Sequence, residues 1–588
     1  MGGLMSPRIP ALFAALCLLG ACHKAPPTGP LPPPSEEQQL TGEVNTLTQE
    51  AALLLEEQHR LVWAFWTEGT MADIAATYSG KEVLFSMENL RRIDRLRHLT
   101  KDPRELRALT ALHGHFAGEI LARELAEYND ASANLEASLK LSVDGREVRY
   151  RDMERLLANE KSAAKRKALY ASATPALTRL NQTLYRKAER TEELVKQMGF
   201  ESYEAFGSEL RQADLERLAQ LAEEVLQATQ EPYRLVMERL SQRELGQPFA
   251  QITRADIPRL FRSREVEDAF PKGESLAKAQ ATVAGMGIDL AALPNVKVDA
   301  RDLPRKNPRP LALGIRVPSD VRLSFKPGTG VLHQGRVLHE VGHLLHVAFT
   351  QEPRFELARL GNPTVGLAYS ALFEDLLEDP VWLEEHAAGV LGDNDKRAPF
   401  LAASSAHKLY LIRHAAGRLL YQMELHRRVE VDPRELYRAL MARAGAMPMT
   451  EDDVERYLVE QEDFYQSADN FRAWFLAGQF QGQLKARFGP AWWHAPEAGA
   501  FLKELWARGT APSAREITEA IGENGLAPDV LLLRLSTTLQ VPMKLDLRRL
   551  DDTPSPPSPA APAPPAAKPS ATPNAKPSST SASVPSAA

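Results

Sequence analysis

The run His339-Glu340-Val341-Gly342-His343 sets two imidazoles four residues apart, with a carboxylate directly after the first. On a helix this spacing projects both rings from one face about one turn apart, so both reach a single zinc ion at about 2.0–2.1 Å. Glu340 then lies beside the open coordination position, where a carboxylate takes a proton from a metal-bound water. The chemistry predicted is hydrolysis with one Zn2+ per chain. With 14 histidines in 588 residues, chance produces this run about 0.03 times per chain. The ordinary alternative is a helical histidine pair with no site role.

A catalytic zinc takes three protein ligands and one water. The segment Ala368 to Glu378 reads as helix and carries Glu374 and Glu378 at i,i+4 on one face. Glu374 is expected as the third metal ligand. Glu378 is expected to orient a ligating histidine from behind. The competing reading makes both, with Asp375 and Asp379, a solvated acidic face. His407 and His414 share a helix face without metal-type spacing and are expected to be ordinary surface or core residues, and Ser513-Ala514-Arg515-Glu516 is a capping box without further function.

These residues need a frame to hold them. Between Pro310 and Lys326 the apolar positions alternate, as Leu311, Leu313, Ile315, Val317 and then Val321, Leu323, Phe325, about a Pro318-Ser319-Asp320 turn. This predicts a hairpin. Pro327-Gly328-Thr329-Gly330 breaks it, and Thr329 is expected to cap a helix from Val331 to about Phe349. From Thr41 to Ala300 the pattern is helical: Leu54, Leu61 and Phe65 share a face, and Leu215, Leu218, Ala222 and Val225 repeat the spacing behind a predicted N-cap at Asp214. Trp63 and Trp66 read as core, and no repeat of solenoid length is present.

The ends differ from this body. Arg8, the short apolar run Ala11 to Leu19 and Leu19-Gly20-Ala21-Cys22 read as a secretory signal, residues 1–21, and the cysteine after Leu-Gly-Ala resembles the bacterial lipoprotein box. Lipidation of Cys22 is implied, with His23 in place of an aspartate implying a cell-envelope location at the outer membrane, facing the periplasm. Cys17 lies in the part removed, so no internal disulfide is expected. Residues 22–40 are expected to form a lipidated, proline-rich stalk, 41–300 an N-terminal helical lobe, 301–550 a catalytic lobe and 551–588 a disordered Pro/Ala/Ser tail. The composition is 44% apolar and 25% charged, which suits a large folded core, and the net charge of −6 supplies no basic excess for nucleic acid.

The Asp320-Val321-Arg322-Leu323-Ser324 strand, the His339-Glu340-Val341-Gly342-His343-Leu344-Leu345-His346 run and the later Phe373-Glu374 pair resemble the thimet oligopeptidase and oligopeptidase F group of gluzincins. Asn362-Pro363 and Glu497-Ala498-Gly499 resemble the angiotensin-converting enzyme family. The resemblance is specific from about Leu311 to Phe488 and weak before it. It implies a mainly α, two-lobed helical ellipsoid with a central channel, a small β-hairpin beside the zinc-binding helix, and cleavage of short peptides. It makes His339, His343 and Glu374 the zinc ligands and Glu340 the general base. Two features depart from the pattern: the loop from His343 to Glu374 is longer than usual, which leaves Glu378 as an alternative third ligand, and no tyrosine stands in the late segment Asp469 to Gln481. Tyr465 and Arg472 are the candidate oxyanion donors.

The expectation is a lipid-anchored, monomeric zinc peptidase acting on oligopeptides, with substrate adding as a strand against Val321 to Lys326. Its rivals are a peptide-binding envelope lipoprotein with little catalysis and a helical scaffold.

Overall fold

The computed structural model describes residues 34–550 except 144 and 428–430. Cys17, Cys22, the signal segment and the 551–588 tail lie outside the described residues. The chain is mainly α, with two small sheets. Helix α1 spans Glu36–Glu68 behind a Ser35–Gln38 capping box, so helix begins inside the segment expected to be stalk. Further elements that position the site are α2 (Tyr203–Arg211), α3 (Leu215–Ala228), α4 (Val331–Phe349), α5 (Phe355–Arg359), α6 (Pro363–Glu374), α7 (Asn394–Arg427), α8 (Gln466–Phe488) and α9 (Pro528–Leu539). Asp214 caps α3 through Arg217 N, as its position before the apolar stripe predicts.

The strands are β1 (Lys140–Val143), β2 (Arg146–Arg149), β3 (Val296–Asp299), β4 (Leu311–Arg316) and β5 (Asp320–Ser324). β1 and β2 form a hairpin of their own, and the other three form a sheet in the order β3-β5-β4. The predicted hairpin is β4–β5, pairing Leu311 with Ser324 and Gly314 with Val321, with a bulge between Gly314 and Arg316. β3 joins β5 in parallel, Val296 opposite Val321 and Asp299 opposite Ser324. β5 is therefore the centre of its sheet, hydrogen-bonded on both sides. It has no free edge for a peptide strand along Val321 to Ser324, and that expectation is corrected: the edges are β3 and β4.

One face of α4 buries Val337, Leu338, Val341, Leu344 and Leu345 completely. Each such burial contributes about 1.5–3 kcal/mol. This anchors the helix and turns the half-buried His339, Glu340 and His343 the other way. Gly330, at φ 86°, precedes α4 without a side-chain cap, so the expected Thr329 cap is not formed. α6 packs on α4 closely enough that a Cβ at Gly342 would lie 2.6 Å from Tyr369 O. A single hydrophobic core draws on residues from Val44 to Leu550, across the expected boundary at 300/301.

Candidate metal centre

His339 and His343 sit one turn apart on α4, ring centroids 5.9 Å apart and planes at 71°. α4 and α6 lie antiparallel: Gly335 approaches Glu374, Gly342 approaches Tyr369 and Ser370, and His346 approaches Gly366. The carboxylate that α6 supplies is thereby set beside the first histidine. Glu374 Oε2 lies 3.0 Å from His339 Nδ1 and accepts a hydrogen bond from it. Beside His343, α6 presents Gly366 and Leu367 instead.

Glu374, expected as a ligand, lies in contact with His339, and Glu378, expected to orient a histidine, lies elsewhere. The reason is helical register. α6 ends at Glu374, and Asp375–Glu378 continue as a 3₁₀ turn. With three residues per turn in place of 3.6, the two glutamates no longer share a face. Glu378 faces Arg534 of α9 at 3.3 Å, while Asp375 pairs with both Arg534 and Lys408 of α7 at 2.8 Å. Burial, joined by the Asp375 charge, pushes the Glu378 carboxyl up despite Lys408. Glu378 belongs to a charged cluster behind the site and orients no histidine.

Burial disfavours the charged form of His339, but the hydrogen bond and charge of Glu374 outweigh it and raise its pKa. Burial pushes His343 down to about 3, so this ring is neutral at physiological pH. Glu340 accepts the Ala312 N–H of β4 at 2.7 Å, and burial pushes its carboxyl up to about 7, in the range that suits a general base. His346 donates from Nε2 to Gly509 O at 3.0 Å and is buried.

The donors suit a zinc ion at two points. His343 needs no proton removed, and the Glu374 bond at His339 Nδ1 leaves Nε2 to face a metal, as in carboxylate–histidine–zinc arrangements. The third point is not assembled: among the described residues, no three His, Cys, Asp or Glu side chains converge as a metal-ligand group.

The two candidate oxyanion donors lie in other surroundings. Tyr465 is fully buried against Tyr203 and His426, with centroids at 5.4 and 6.3 Å, and its hydroxyl has no hydrogen-bond partner among the described residues. The Arg472 guanidinium, also fully buried, binds Arg211 O and Asp469 Oδ1, both at 2.8 Å. Asp469 Oδ2 in turn holds Arg211 at 2.9 Å. Arg472 is thus a brace behind Arg211, which itself lines a cavity with His343. His407 lies against Phe261 at 4.6 Å and the buried His414 against Tyr410 at 4.0 Å, the ordinary roles expected of them.

The residue missed in the sequence is Arg359, at the end of α5. Its guanidinium reaches Gly314 O of β4 at 2.8 Å and His59 Nδ1 of α1 at 3.1 Å. The bulge in β4 next to Gly314 leaves no local signal in a single sequence. Among the described residues no helix is long and apolar enough to cross a membrane.

Compared with known proteins, the chain matches no family model, and a search of the curated proteins finds no match.

Proposed function

We propose that the chain hydrolyses short peptides at the His339–Glu340–His343 face, with one zinc ion held by the two imidazoles and Glu374 as the nearby carboxylate. The observation that carries this reading is the joint arrangement of the three residues. His339 is oriented through Nδ1, His343 is neutral, and a carboxyl with a pKa of about 7 is anchored on β4 beside them. A bound zinc supplies Lewis acidity toward the peptide carbonyl and acidifies water. Glu340 takes the proton of the attacking water on its carboxylate and passes it to the leaving amine. β4 is the edge strand that faces Glu340, through Ala312 N–H, and α1 packs along it, with Glu56 paired to Arg316 at 2.8 Å.

A second reading rests on the Glu374–His339 bond. With that carboxylate committed, two protein ligands remain where a catalytic zinc takes three, which favours a peptide-binding envelope lipoprotein with little turnover. Zinc analysis of the purified protein, together with cleavage of a mixed oligopeptide library with and without chelator, separates the two. About one zinc per chain and chelator-sensitive cleavage support the peptidase. Peptide binding without cleavage supports the second reading.

A further inference from the structure

The half-buried Arg359 has no carboxylate partner among the described residues. Arg354, five residues earlier, pairs with Glu105 and with Glu356. Arg413 has no carboxylate, yet it donates to Ala444 O, Leu226 O, Thr229 Oγ1, Gln230 Oε1 and Arg443 O at 2.6–2.9 Å. Its donors are thereby used by neutral acceptors. The Arg359 guanidinium, which carries five N–H groups, donates to Gly314 O at 2.8 Å and lies 3.1 Å from His59 Nδ1, which itself donates to Gly314 O at 2.9 Å. Burial alone brings its pKa down to about 10, with no acidic neighbour to offset it.

This guanidinium lines a cavity of about 300 Å³ shared with His343 of α4 and with Pro363, Gly366 and Leu367 at the start of α6. Arg211 is also in the wall, its charge met by Asp469, which is divided between Arg211 and Arg472. The cavity therefore holds more positive than negative charge, and the N-terminal end of a 12-residue helix faces it. Both features favour an anion. The position is also tied to the proposed chemistry. Ala312 N–H holds Glu340 and Gly314 O holds Arg359, so base and guanidinium are fixed two residues apart on one strand, about 7 Å along it. Gly314 makes room for this, since a Cβ there would lie 3.1 Å from Arg359 Nη1.

We propose that the cavity between His343 and Arg359 is a carboxylate-binding site, in which Arg359 receives a carboxylate of the bound peptide. This rests on the peptide reading above but does not require turnover. The carboxylate comes either from a free C-terminus or from an acidic side chain close to the proposed cut, and both present the same bidentate acceptor.

The test is calorimetric binding to the full chain with chelator present. The probes are acetyl-Ala-Ala-Ala as free acid, the same peptide as C-terminal amide, and acetyl-Ala-Ala-Glu amide. The wild type is expected to bind at least one carboxylate-bearing peptide about tenfold or more tighter than the uncharged amide, and which one does so identifies the source. Arg359→Gln should bring that ratio to within about twofold without weakening the amide, and Arg359→Lys should restore part of it. Equal binding of all three by the wild type overturns the site and leaves the peptide reading standing. Absence of binding by all three at millimolar concentration overturns both. A ratio that persists in an Arg359→Gln protein with wild-type melting also overturns the site. If that variant does not fold, the wild-type ratio together with its fate in Arg359→Lys decides.

Discussion

Glu374 Oε2 and His339 Nδ1, 3.0 Å apart, join α6 to α4 at the first histidine of the pair. A carboxylate in this place fixes which ring nitrogen carries the proton and turns Nε2 outward. Glu374→Ala should weaken zinc binding by roughly 10–100-fold. Glu378→Ala should leave zinc affinity within about threefold of wild type and lower thermal stability instead, because it strips a carboxylate from the Arg534 and Lys408 cluster. Competition with a chromogenic chelator measures the first, and melting curves the second. The reverse order would return Glu378 to the site.

The same bond makes zinc uptake pH-dependent. The pKa of His339 is raised above the ordinary imidazole value by Glu374, so a proton competes with the metal for the ring up to a higher pH than at a free imidazole. Zinc affinity should therefore rise with pH and fall about tenfold per unit below that pKa. Zinc titrations from pH 5.5 to 8.5 should show this slope, and Glu374→Gln, which removes the charge that raises the pKa, should shift it to lower pH.

His346 links pH to folding rather than to the metal. Buried neutral against Gly509 O, it has a folded pKa of about 4, below the unfolded value of 6.5. Its stabilising contribution is complete above the unfolded pKa and is lost as pH falls toward the folded one, up to about 3 kcal/mol in all. His346→Gln can still donate to Gly509 O but cannot titrate. The stability advantage of wild type over this variant should shrink by about 2 kcal/mol between pH 7.5 and pH 5 in urea melts.

The lipoprotein reading is tested in cells. Cys22→Ser should release the chain from membranes or stall its processing, and Cys17→Ser should do neither. Acyl labelling with fractionation checks both, and an unlabelled wild-type chain in the soluble fraction would end the anchor reading.

What could be read from sequence was local. The α4 boundaries, Val331–Phe349, follow from the Pro-Gly break and the 3.6-residue apolar period, and the β4–β5 hairpin follows from alternation about Pro318-Ser319-Asp320. Asp214 and Ser513 cap their helices as their spacing implies. What failed was set by contacts distant in sequence. β3 pairs in parallel with a strand more than 20 residues away, which no hairpin signal announces, and its presence closes the edge of β5. Glu378 was placed on the face of Glu374 by assuming one continuous α-helix, and the 3₁₀ turn at Asp375 rotates it away. Tyr465 stands just before, and Arg472 within, the segment that lacks a tyrosine, but packing sets them against Tyr203 and Asp469. Arg359 carries no motif, and its importance depends on a cavity lined from five helices, α2, α4, α5, α6 and α8, and on a carbonyl of β4 that holds it.

The central claim, that Glu340 is the base of a zinc-dependent hydrolytic centre, is tested most directly by comparing wild type and Glu340→Gln, both zinc-loaded, on one oligopeptide substrate at pH 7.5. Glu340 is not a proposed ligand, so the variant should bind as much zinc as wild type. Its kcat should fall by a factor of roughly 10²–10⁴, with full sensitivity of the wild-type reaction to chelator. Equal turnover by the two proteins, or no cleavage by a wild type that carries its zinc, would contradict the account.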